Sequence, residues 1–369
     1  MNYNNFTIQY IKSLKRNLMI EIDENDHITF NPINVTEKNK KKLILEFTKI
    51  WEISQSSIDI LKNKEDSKVQ GGLFGLHENF EMAVKTGFLI SDRVVLIDYI
   101  YERILFNKDA KSINSIQLAQ VAIDLVKLLP LAEKGRIVII PNPFSWNNDS
   151  KRLINEVAQK VTLSMSLITM INMLSICKLC KLHPYTIASS KEEYTRIIEK
   201  EIDYTDLIGK DGGKYAYEGI LGSLISQRLL SEIRFSSISD VPYNKFVEII
   251  SNYNNFHSEY LEAITQSGSL NADVNIDKIK KSVDLAQKNA NGKLTTLLNT
   301  YSPSLNLSGS GLSLASVVMN LPPSLTSASS VAGLGLLVLG TLSEFFDNKQ
   351  ENTNTIISVF KDLEKVVKK

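Results

Sequence analysis

Arg93-Val-Val-Leu-Ile-Asp98 and Arg136-Ile-Val-Ile-Ile-Pro-Asn142 share one pattern: a basic residue, four β-forming residues, then a polar or breaking residue. Continuous apolar runs of this length suit strands buried on both faces. Between them Ile113–Leu129 has helical spacing and is closed by Pro130 and Gly135. Strand, helix, strand makes a βαβ unit near 93–141, with the two strands as parallel neighbours and their polar ends on one edge. One feature competes with this reading, because Asp98–Phe106 can also continue the first element as a helix.

Working outward, the flanking segments read as helices. Ile8, Ile11 and Leu14 give a weak helical pattern near the start, followed by a short hairpin of Leu18–Ile22 with His27–Phe30, ended by Asn31-Pro32. One long helix is expected from Thr36, a suitable N-cap, to Lys62. Lys62–Gly72, with its charges and paired glycines, reads as a loop. A second long helix is expected over Ser150–Leu182, after the loop that begins at Pro141. Further helices are expected at Lys191–Glu201, Tyr215–Ile233, Pro242–Thr265 with Asp240 as cap, Ile276–Leu298 and Asn354–Val367. The fold class is therefore mainly α-helical with a small β element. A main domain over 1–270 is followed by a C-terminal helical module over 271–369.

The 369 residues carry 42 Lys+Arg against 41 Asp+Glu, and 43% are hydrophobic. That is enough apolar side chain to exclude global disorder, and the balanced charge gives no whole-chain attraction to nucleic acid or anionic lipid. Two basic runs, Lys38–Lys42 and Lys278–Lys281, lack the interleaved aromatics of a base-stacking platform, which counts against nucleic acid as a partner. Two cysteines cannot form a disulfide scaffold, and the first residues lack the basic-then-apolar order of a signal peptide. A cytoplasmic location is the expectation.

From Leu294 to Ser343 there is no Asp, Glu, Lys, Arg or His, although 22% charge over the whole chain would place about eleven in fifty positions. Two apolar runs, Leu312–Leu321 and Val331–Leu342, are separated by Pro322-Pro323 and a Ser-rich segment. They read as a hydrophobic helical hairpin. It is expected to pack against the rest of the protein, with Leu336, Leu337 and Val338 facing apolar groups. A membrane-inserting hairpin and an interface for a partner or a second copy are the alternatives. Twelve helical residues rise about 18 Å, well short of the ~30 Å hydrocarbon core, which ranks membrane insertion lower.

Three patterns bear on chemistry. Cys177, Cys180 and His183 have the spacing C-x2-C-x2-H of a zinc half-site, but no second cysteine pair completes it, so buried, reduced, metal-free thiols are expected. Gly209–Lys214 resembles a phosphate loop with the wrong spacer. The third pattern is topological. Ligands of α/β sheets bind beyond the carboxyl ends of the strands, where Asp98, Glu102 and Asp149 could hold a divalent metal. Asp92 lies at the wrong end of its strand to join them. The competing reading makes Asp98 a cap for the helix that follows. The leading function is a non-enzymatic interaction or effector protein, without cofactor, whose hydrophobic C-terminal module contacts a protein partner, a second copy or a membrane. The alternative is a metal-dependent hydrolase or nuclease working at the Asp98 edge.

Overall fold

The computed structural model describes residues 5–159 except 24, 64–67 and 74–79, then 162, 165–185 and 241–261, with Tyr215, Gly219, Ser226, Val359, Asp362, Leu363 and Val366. It is rich in helix around a small parallel sheet. The chain opens with α1 (Asn5–Leu18), a hairpin of β1 (Glu21–Ile22) and β2 (Ile28–Thr29), α2 (Glu37–Trp51) and α3 (Gln55–Lys62). Then follow β3 (Gln70–Leu73), α4 (Phe80–Ile90), β4 (Arg93–Ile97), a π-helical turn over Ile100–Leu105, α5 (Ser115–Lys127), α6 (Leu129–Glu133) and β5 (Ile137–Ile140). The last described elements are α7 (Pro143–Trp146), α8 (Asn148–Ala158), α9 (Met165–Cys180), β6 (Leu182–Tyr185) and α10 (Tyr243–Ser251).

The two quoted stretches are neighbouring parallel strands, with Val94 opposite Ile137 and Ile97 opposite Ile140. The sheet is larger than the two strands expected. Its order is β5-β4-β3-β6, all parallel. Alternate residues face two separate apolar layers. Val94, Leu96, Ile137 and Ile139 join the core built by α1, α2, α4, α5, α6 and α10. Val95, Val138, Ile140 and Leu182 pack instead with Leu61 of α3 and with Met173, Ile176 and Cys180 of α9.

The central strand β3 falls in the stretch read as a loop. Its glycines are there because neighbours press on both faces. A Cβ on Gly71 would meet Ser91 Oγ at 2.5 Å, and one on Gly72 would meet Leu182 Cδ2 at 2.7 Å and Met173 Sδ at 2.8 Å. Both long helices are in fact broken. Residues 52–54 form a turn between α2 and α3, and α8 ends at Ala158 before α9 begins at Met165. Leu182, expected to close the second helix, opens β6.

Caps explain several of the other boundaries. Thr36 Oγ1 accepts the Asn39 amide, and Asn114 accepts from Ile116 and Gln117. Pro130 sits in the first turn of α6 and Gly135, at φ +69°, follows it. The Tyr243 amide of α10 is capped by Asp26 at 2.5 Å, from the hairpin loop. The helix expected over 242–265 stops at Ser251 and resumes over 256–261 after Asn255, at φ 65°. The described residues of the helices expected at 215–233 and 354–367 are helical, and Val359 and Leu363 are fully buried. Asp240 and the helices expected at 191–201 and 276–298 lie outside the described residues, as does the hairpin of 294–343. Among the described residues no helix is long and apolar enough to cross a membrane.

The sheet edges are protected. Thr7 Oγ1 of α1 accepts the Ile139 amide of edge strand β5 at 2.9 Å. At the other edge Pro184 has no N–H to offer, and a Cβ on Gly219 would come within 2.5 Å of the β6 backbone. Gly71→Ala is expected to cost about 1–3 kcal/mol, the range for overpacking. Gly72→Ala should cost less, because the Met173 thioether can swing away. Urea unfolding of both variants checks the ranking.

Candidate functional site

The order β5-β4-β3-β6 reverses direction between β3 and β6, and such a reversal marks the usual ligand crevice of an open parallel sheet. The chain leaving those two strands, 74–79 and 186–214, lies outside the described residues. What the structure does place at the carboxyl edge is the ends of β4 and β5 with their loops.

Asp98 follows β4 directly and is 2% exposed. It accepts the Tyr10 hydroxyl in a short hydrogen bond, the Glu102 amide at 2.7 Å and the Tyr101 amide at 3.2 Å. It is therefore the cap of the π-helical turn, and both of its carboxyl oxygens accept hydrogen bonds. Burial pushes its carboxyl up against the pull of those donors. Burial and the facing carboxyl likewise push the Tyr10 phenol well above its ordinary range.

Glu102 is the more available group. It is half-buried, and its carboxylate accepts the Asn142 amide at 3.2 Å. Burial, reinforced by the nearby Asp98, raises its pKa to about 7. Asn142, at the end of β5, accepts from Phe144 N and from Nδ2 of Asn172 at 2.7 Å. Asn172 on α9 is 1% exposed and its Oδ1 has no partner among the described residues. Glu102, Asn142 and Asn172 thus form a short polar chain across the sheet end. No sequence motif marked the two asparagines. Asn172 lies within the helix expected over Ser150–Leu182 and Asn142 in the loop before it, and only the end of β5 brings them together.

The third carboxylate expected here is elsewhere. Asp149, in the first turn of α8, is 54% exposed and pairs with Arg152 at 3.5 Å. Nor do the zinc-spaced residues converge. Cys177 Sγ donates to the Met173 carbonyl and His183 Nδ1 to the Gln70 carbonyl. Both thiols are buried and free, and burial pushes Cys177 up and Cys180 up to about 12. Among the described residues no group of three His, Cys, Asp or Glu side chains is placed to hold a metal ion. Of the basic run at 38–42, Lys40 is buried and donates to the Ile113 carbonyl at 2.8 Å, so it forms no part of a surface patch. Gly209–Lys214 lies outside the described residues.

The raised pKa of Glu102 has a definite sign in stability. Ionisation is penalised in the folded state only, so stability falls as pH rises from the unfolded value of ~4.3 to about 7 and is level beyond. Asp124, raised to about 6 by burial, acts in the same direction. Glu102→Gln keeps an acceptor for Asn142 and removes the charge. It should leave stability unchanged at pH 4 and raise it at pH 8, by on the order of 2 kcal/mol. Denaturant unfolding at the two pH values checks this. Compared with protein-family models, curated proteins and solved structures, the chain matches none.

Proposed function

We propose that this chain is a non-enzymatic interaction or effector protein. Its α/β unit is the carrier, and the charge-free stretch from Leu294 to Ser343 is the contact module toward a protein partner or a second copy. The observation that carries this reading is the condition of Asp98. The catalytic alternative needs an open carboxylate at the end of β4, and this one is enclosed by a phenol and two backbone amides. The composition of the fifty-residue stretch supplies the positive support, since its two charge-free apolar runs, Leu312–Leu321 and Val331–Leu342, must be covered by something. The small number of cysteines supports a cytoplasmic location.

A second reading keeps chemistry at the carboxyl edge. It is favoured by Glu102, whose pKa burial raises to about 7 and which is linked through Asn142 to Asn172, whose Oδ1 has no partner among the described residues. A hydrolase or nuclease of this kind would use Glu102 as acid or base rather than the three-carboxylate metal site.

Leu337→Asp in the full chain tests the contact module. The interface alternative is taken here over the packed hairpin, so the variant is expected to melt with the wild type and to lose concentration-dependent association in sedimentation. Leakage of dye-loaded anionic vesicles by wild type alone would make the partner a membrane. A variant that misfolds would place Leu337 in a buried core, because an unpaired buried charge costs several kcal/mol, and would remove the stretch as a contact surface.

A further inference from the structure

The opposite, amino-terminal edge of the sheet carries a second polar cluster that no part of the proposed function uses. His257 is 7% exposed, and both of its ring nitrogens meet oxygen. Nε2 lies 2.8 Å from the Phe88 carbonyl and Nδ1 lies 3.1 Å from Oδ1 of Asp92. The same Asp92 oxygen accepts Arg136 Nη1 at 3.1 Å, while its Oδ2 accepts the Val69 amide at 3.2 Å. Arg136 extends through Nη2 to Ser251 Oγ at 3.0 Å. The loops ahead of β3, β4 and β5, the end of α4, α10 and residues 256–261 therefore meet at one point.

The protonation of this cluster follows from its acceptors. A carbonyl oxygen only accepts. Asp92 is also an acceptor only: burial raises its pKa, but His257, the Val69 amide and Arg136 outweigh burial and hold it at about 2. A neutral imidazole has one N–H and one bare lone pair, so it can satisfy either Phe88 or Asp92 and turns the lone pair on the other. The imidazolium donates to both.

We propose that His257 is a proton-operated latch: its imidazolium fastens residues 241–261 to the amino-terminal edge of the sheet, and loss of one ring proton loosens that segment. Among the described residues the charged groups facing the ring are Asp92, ahead of β4, and Arg136, ahead of β5. The rest of the crevice wall, including Phe88 of α4 and Val247, Ile250 and Ser251 of α10, does not titrate. Deprotonation leaves Asp92 with Arg136 and Val69, so the sheet keeps its own ties, and the helical segment keeps Ser251 on Arg136 but loses one of the two contacts of the His257 ring. The sign is the reverse of acid-triggered release. The latch is closed while the ring is charged and opens when it loses a proton.

The test is amide hydrogen exchange of the full chain at pH 5.5 and 8.5, expressed as protection factors so that the intrinsic pH dependence cancels. Protection over 241–261 is expected to fall about tenfold relative to β4 and β5, the equivalent of one charge-assisted hydrogen bond. That comparison separates the latch from Glu102 and Asp124, which lower the stability of the whole fold. His257→Gln, whose donors sit on a single nitrogen at every pH, should hold the segment at the low-protection level at both pH values. Equal protection at the two pH values in the wild type, or an unchanged pH effect in His257→Gln, overturns the proposal. Should that variant not fold, the 15N shifts of the wild-type ring decide. Two protonated nitrogens at pH 5.5 and one at pH 8.5 uphold the latch, and a ring in one state throughout overturns it.

Discussion

A parallel sheet has no face it can leave in water, and the arrangement of this protein follows from covering both. Crossover helices necessarily fall on the faces of parallel strands, so β3 to β6 must be apolar above and below. Alternate residues of β4 and β5 do this directly: Val94, Leu96, Ile137 and Ile139 on one side, Val95, Val138 and Ile140 on the other. The central strand meets the same demand by different means. At Gly71 and Gly72 the covering groups come so close that a methyl would collide with Ser91 on one side and with Leu182 and Met173 on the other. Coverage there comes from neighbours, and the strand contributes backbone alone.

With the faces sealed, polar chemistry is confined to the two ends of the strands, and the ends have opposite electrostatics. Asp92 and Asp98 flank the same five-residue strand. Six residues of extended chain put about 20 Å between them. Asp92 sits with His257 and Arg136 and stays ionised down to about 2, so its ion-pair contribution is present above the unfolded pKa and is lost as pH falls toward that value. Among the described residues Asp98 is paired with no cation. It is held by a phenol and by amides, and burial favours its neutral form. The same residue type is thus an electrostatic anchor at one end and a neutral hydrogen-bonding cap at the other. Glu102, one turn on from Asp98, inherits that low-polarity setting, and this is why its proton is held to near neutrality.

These conditions also explain what was legible in the sequence. Arg93–Ile97 and Ile137–Ile140 carry their burial in their own side chains, so they read as strands without reference to anything else. Gln70–Leu73 carries none of it, because the information sits in Ser91, Met173 and Leu182, and two glycines after a charged stretch read as a loop. β6 is hidden for a related reason. Leu182-His183-Pro184-Tyr185 has no alternation, and its place as an edge strand depends on pairing with β3. The helix breaks at 52–54 and after Ala158 were obscured by apolar spacing that continues across them. In the candidate site, Asp98 as a cap was among the readings the sequence allowed, since an acid directly after a strand and before a helical turn is a normal capping position. Asn142 with Asn172 was not, because thirty residues and a layer of helix separate them in the chain.

The first helix shows how the covering of the sheet and the condition of the carboxyl edge are joined. α1 lies against β5 and offers two polar side chains to the sheet. Thr7 accepts the Ile139 amide, which closes the edge of β5. Three residues later, on the same helix face, Tyr10 donates to Asp98 and accepts the Ile100 amide at 3.2 Å, which fixes the turn carrying Glu102. Ile11 and Leu14 on the buried side of α1 are fully enclosed, so neither polar contact can shift without moving the core. A segment whose sequence pattern is weak therefore seals an edge strand and, through one phenol, occupies the carboxylate that would otherwise stand open at the end of β4.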